Sequence, residues 1–164
     1  MIIDFHHHLS PNIFKPPEKP RAVYAHGIPI STEHKGLSNV ETHIQVMDET
    51  GIDISVLTSG SGMRGEFKEA SAANNALSNV CADHEDRLRF LAHAAPLSGI
   101  EAIEEVKRWL EVCPGAVVPS AFGEIGLDDS RLEPLYELLE SKGKYLFVHP
   151  ALATSEAEAS QYNA

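Results

Sequence analysis

Apolar positions along the chain follow two patterns in alternation. Short runs, most of them almost wholly apolar, occur at residues 1–5, 52–59, 89–95, 115–119 and 145–148. Between them, apolar residues recur at helical spacing: Val40, Ile44 and Met47; Ala73, Ala76, Leu77 and Val80; Ile100, Ile103, Val106 and Leu110; Leu132, Leu135, Tyr136 and Leu139. A run apolar on both faces suits a strand covered on both sides, and a stripe of period 3.6 suits a helix packed on one side. The punctuation agrees. Ser38 with Glu41 predicts a capping box, Pro134 falls in a first helical turn, and Gly51 and Gly143 follow helix ends. The order strand, helix, repeated to a fifth strand, predicts an α/β fold with about five parallel strands and outer helices joined by right-handed crossovers.

Two stretches break the pattern. Residues 11–36 carry five prolines and no sustained period, which reads as a long loop leaving the first strand, either a functional lid or a disordered segment. Residues 151–164 are rich in Ala, Ser, Glu and Gln and read as an irregular tail behind a single domain over 1–150.

Charge narrows the function classes. The 164 residues hold 24 acidic and 13 basic side chains, a formal charge of −11, which opposes binding to nucleic acid or anionic lipid. No window approaches the ~20 apolar residues of a spanning helix, and the N-terminus lacks the pattern of a signal peptide, so a cytoplasmic protein is expected. Cys81 and Cys113 sit in helix-like contexts without zinc-site spacing and read as buried thiols.

The chemistry concentrates at strand exits. The run Ile2-Ile3-Asp4-Phe5-His6-His7-His8 ends the first strand in histidines, and strand alternation puts His6 and His8 on one side with His7 on the other. Paired neutral imidazoles form a bidentate platform for zinc or another divalent metal; His7 reads as a packing or hydrogen-bonding residue. Asp4, two before His6, is expected on its face, as a ligand-orienting or a structural carboxylate. Tyr145-Leu146-Phe147-Val148-His149 repeats the design, so His6, His8 and His149 all fall at the carboxyl end of the sheet, where sites of such folds gather. Arg64, in the glycine-rich turn 60–65, is a candidate anchor for a substrate carboxylate. His93 reads as a hydrogen-bonded interior histidine or a substrate contact. Loop residues His26 and His34 read as surface histidines or substrate contacts, Glu124 as an exposed or a catalytic carboxylate, helix residue His43 as a polar position, and the Asn74-Asn75 pair as polar surface or local capping.

In order and spacing, Asp4 to His8, Gly51-Ile52-Asp53, Asp86 to Phe90, Leu132 to Tyr136 and Val148-His149-Pro150 resemble the amidohydrolase-related family of metal-dependent (β/α)₈ barrels. That branch includes aminocarboxymuconate-semialdehyde decarboxylase, hydroxybenzoate-type decarboxylases and a pyrone dicarboxylate lactonase. The resemblance implies His6, His8 and His149 as ligands of a divalent metal, expected to be zinc, that activates water against a small ester, lactone or amide. Its alternatives are non-oxidative decarboxylation of a small carboxylic acid at the same site, or a non-catalytic fragment needing a partner segment. It assigns no catalytic acid or base here, since the family's further histidine and last-strand aspartate have no counterpart. A barrel typically takes ~250 residues, so the chain reads as the N-terminal part of a partial TIM barrel, with assembly into a homo-oligomer left open.

Overall fold

The computed structural model describes residues 1–11, 15, 17–25 and 27–150. The tail 151–164 and His26, on which the sequence carried expectations, lie outside the described residues.

Strand β1 (Ile3–His8) pairs in parallel with β4 (Ile54–Thr58), and β4 with β5 (Leu88–Phe90). A second parallel sheet orders β6 (Ala92–His93), β7 (Gly115–Pro119) and β8 (Tyr145–His149). Only Leu91 separates β5 from β6, and its N–H donates to Leu57 O at 3.1 Å, which carries the first sheet into the second. The result is an open run of parallel strands, a partial, unclosed (β/α) barrel. Helices α1 (Val40–Thr50), α2 (Phe67–Asp83), α3 (Ile100–Trp109) and α4 (Glu133–Ser141) alternate with the strands, as the two periodicities require.

Each sheet face has its own core. Leu57, Leu88, Phe90, Ala92, Ala116 and Val118 pack against Met47, Leu77, Ile103, Val106, Leu135 and Leu139 of the helices. The alternate positions Val56, Leu91 and Val117 form a smaller cluster with Met63 and Phe147 on the opposite, concave face. Burying side chains of this size stabilises by roughly 1.5–3 kcal/mol each, which makes the helix-covered face the larger share of the core.

Local chemistry sets the boundaries. Asn39, one residue beyond the expected Ser38, caps α1 by accepting from Thr42 N at 2.7 Å, because the chain around Ser38 is already wound into a 3₁₀ turn, Lys35–Ser38. Gly51 ends α1 at φ 73°, a left-handed conformation that glycine adopts without strain.

The connection after β1 is more ordered than a loop. It holds an antiparallel hairpin of β2 (Arg21–Ala25) and β3 (Ile28–Glu33), tied by an ion pair between Arg21 and Glu33. Its register shifts where Tyr24 faces Pro29, and this bulge explains why no regular alternation is visible in the sequence. No helix among the described residues is long and apolar enough to cross a membrane.

Candidate metal centre

A bulge in β1 builds the site. Against β4 the register runs Asp4 to Ser55 and then His7 to Leu57, three steps on β1 for two on β4. The extra residue lets Phe5 and His6 both face the concave side, where His6 and His8 then meet. It also overturns the expectation that Asp4 shares the face of His6. Asp4 instead joins His7, whose Nδ1 lies 2.7 Å from its Oδ2, while its Oδ1 accepts from the backbone N–H of His6 at 3.2 Å. The carboxylate thus fastens the bulge and, on the helix side, the ring of His7, which meets the ring of His43 edge to face with centroids 4.3 Å apart.

Across the concave face, β8 brings its own histidine to the same point. His6 Nε2 lies 3.0 Å from His8 Nε2, and His8 Nε2 lies 3.1 Å from His149 Nε2. Ligand atoms of all three fall within 4.8 Å of one another. Below them Phe5 packs on Tyr145 and Phe147, at centroid distances of 5.2 and 5.9 Å, so apolar contact holds β1 and β8 together beneath the histidines.

The donor set fits a divalent cation. Burial, with the neighbouring His6 and His149 adding to it, pushes His8 down to about 4, and burial also lowers His6. Both therefore offer lone pairs at neutral pH. His149 Nδ1 lies 2.9 Å from Pro150 O; donating there leaves Nε2 as the acceptor that faces the cluster. In a row of three ring nitrogens, the central Nε2 carries either one proton or one lone pair, and with His149 Nε2 an acceptor it cannot make a good hydrogen bond to both neighbours. Nitrogens sharing one metal ion at about 2.1 Å from it sit about 3–3.4 Å apart, close to the spacing of His8 from His6 and from His149.

The other candidates fall into different places. His93 is 1% exposed, and its Nε2 accepts from Ser59 N–H at 2.9 Å. Its Nδ1 faces Asn74 Oδ1 at 3.3 Å, so both ring nitrogens are engaged, and burial holds it down near 4. Asn74, expected on the surface, is buried, because its amide grips the His93 backbone twice: His93 N to Oδ1 at 2.7 Å and Nδ2 to His93 O at 3.0 Å. His43 is also buried, contrary to its reading as polar surface; Nε2 reaches Gly36 O at 2.9 Å, and burial sets it near 4. Arg64 ends the 3₁₀ turn Gly60–Arg64 that follows β4, exposed and 3.7 Å from Glu69 Oε1. Glu124 is exposed in a tight turn closed by a Phe122–Ile125 bridge. Cys113 is buried and Cys81 partly so, and burial pushes the Cys81 thiol up to about 12.

Sequence reasoning missed the bulge and the roles of Asn74 and His43. Three histidines in a row after an apolar run was the available signal for the bulge, since alternation cannot place Phe5 and His6 on one face. An amide that replaces a ladder partner leaves no mark in periodicity.

Solved structures share the fold. A protein from Staphylococcus aureus assigned as an amidohydrolase superposes with a TM-score of 0.68 at 22% identity, covering 75% of this chain and 43% of its own. The 5-carboxyvanillate decarboxylase of Novosphingobium aromaticivorans, in complex with manganese and 4-hydroxy-3-methoxy-5-nitrobenzoic acid, gives 0.67 at 25% identity, covering 75% and 38%. A dihydroxybenzoic acid decarboxylase from Polaromonas, with manganese and the inhibitor 2-nitroresorcinol, gives 0.64 at 20% identity, covering 77% and 42%. The chain spans less than half the length of each. No curated protein matches it in sequence. The two decarboxylases hold manganese, which overturns the expectation of zinc: three imidazoles suit several divalent ions, so the ligand set alone did not select zinc. The family model described as amidohydrolase matches residues 3–163, and the chain belongs to the amidohydrolase family.

Proposed function

We propose that this chain carries the metal-binding end of a manganese-dependent, non-oxidative decarboxylase of small aromatic carboxylic acids. His6, His8 and His149 are its metal ligands. The convergence of their ligand atoms within 4.8 Å, from two strands that are not sheet neighbours, carries the reading. Support for decarboxylation over the hydrolysis expected from sequence comes from the neighbour at 25% identity, a decarboxylase holding manganese and a nitrobenzoic acid.

A bound divalent ion supplies Lewis acidity toward the substrate's oxygens. The chain's own groups do the rest. His8 stays neutral and so keeps its lone pair for a ligand role, and His149 is oriented through Pro150 O. Asp4 holds the His6 backbone at the bulge. Arg64, paired with Glu69 on the turn after β4, does not line the cavity beside the triad and offers a cation to an incoming acid only from outside it, and His93 ties Ser59, just past β4, to β6 beneath that turn. The test is carbon dioxide release from hydroxybenzoates by the manganese-loaded protein, set against opening of lactones and amides. Release that depends on His6 and His149 supports the reading; hydrolysis without release of carbon dioxide would sink it.

A second reading draws on the seam. Among the described residues β1 pairs only with β4 and β8 only with β7, and Ile3, Phe5, Tyr145 and Val148 stay exposed. An open edge of this kind favours a chain that acts once another segment covers it. Turnover that appears only on adding such a segment, with metal already bound, would favour this reading.

A further inference from the structure

Beside the triad, on the side of α1, lies a cavity of about 280 Å³ lined by His6, His8, His34, Leu37, His43 and Val46 among others. No lysine or arginine lines it among the described residues, so an anion entering there must be met by a metal or by neutral N–H donors. Gly36 decides which imidazole provides one. Its N–H donates to His34 Nδ1 at 3.1 Å, which keeps that nitrogen unprotonated and puts the ring proton on Nε2. Its carbonyl accepts from His43 Nε2 at 2.9 Å, which leaves His43 Nδ1 without a proton. One glycine thus makes His34 a donor and His43 an acceptor. The absence of a side chain at Gly36 lets the His34 ring lie there, since a Cβ would sit 2.8 Å from both its Cε1 and its Nδ1 and push the ring away.

We propose that His34 is the carboxylate-binding donor of this cavity, holding a small aromatic acid beside the histidine triad. The inference rests on the decarboxylase reading and adds a specificity-determining residue to it. Leu37 and Val46 give the ring of such an acid an apolar wall, and the His34 Nε2–H gives its carboxylate a neutral donor. A charged acid is then favoured over its uncharged amide at the same position.

The experiment titrates benzoate and benzamide into the protein by NMR, with and without Mn²⁺, and follows Mn²⁺ binding separately by electron paramagnetic resonance. The parent is expected to prefer benzoate by roughly tenfold or more. His34→Ala should erase the preference with benzamide affinity unchanged, and Gly36→Ala, which displaces the ring, should act alike. His34→Gln, which can place an amide N–H near the position of Nε2, should retain most of it. An unaltered benzoate preference in His34→Ala, or no binding of either compound to the parent, overturns the inference. If Mn²⁺ binds the triad while His34 is irrelevant, the inference fails and the decarboxylase reading stands. If His34 governs the preference while the triad takes no Mn²⁺, that reading fails and the carboxylate site stands.

Discussion

The Nε2 atoms of His8 and His149 lie 3.1 Å apart although 141 residues separate them in the chain. Their strands are not hydrogen-bonded to each other, so the contact exists only because the sheet curls until its first and last strands meet across the concave face. Phe147 spans that gap, touching Phe5, His6 and His149 at centroid distances of 5.9, 5.0 and 6.4 Å. Phe147→Ala should therefore cost about 2 kcal/mol of stability, below the range for a fully enclosed phenylalanine because this ring is partly exposed. It should also weaken Mn²⁺ binding severalfold. Chemical denaturation and a metal titration read the two effects, and a variant as stable and as metal-avid as the parent contradicts the bridging role.

Asn74 works from the helix side. Its amide makes two hydrogen bonds to the His93 backbone and a longer one to the ring, all in a buried setting. Asn74→Ala leaves the His93 N–H and C=O unpaired and should destabilise by about 2–4 kcal/mol. Asn74→Asp restores an acceptor but no donor and should fall no less. A loss under about 0.5 kcal/mol in urea unfolding would show that the backbone finds other partners.

Acid should loosen the fold before any carboxylate network is reached. Burial holds His43 and His93 near 4, whereas an unfolded histidine titrates near 6.5. Between these values the unfolded chain binds protons that the native chain refuses. Stability then falls as pH drops through the window, by up to about 1.4 kcal/mol per pH unit for each histidine. These two groups contribute no slope above about pH 7 or well below pH 4. Urea midpoints measured from pH 7.5 to 4.5 check this, and His43→Gln should flatten part of the slope. Equal midpoints at pH 7.5 and 5 would contradict the buried, neutral assignment.

What the sequence made legible was whatever depends on period. The five strand regions, the four helices and the gathering of His6, His8 and His149 at one end follow from alternation, helical stripes and the parallel order of the strands. What escaped depends on breaks in period or on contacts remote in sequence. The extra residue between Asp4 and His7 moves Asp4 to the other face, and the bulge opposite Pro29 hides a hairpin. Asn74 looks polar and exposed until its partner is known to be a backbone 19 residues away. His34 is exposed, as the sequence reading had it, whereas His43 read as surface because Gly36, whose carbonyl holds its buried ring, carries no side chain to announce it.

Manganese stoichiometry tests the central claim most directly. After loading and removal of free metal, elemental analysis of the parent beside His149→Ala and His6→Ala/His8→Ala should find close to one ion per chain in the parent and next to none in either variant. A parent that retains no Mn²⁺, or a His149→Ala chain that keeps it as tightly, would contradict a metal centre shared between β1 and β8.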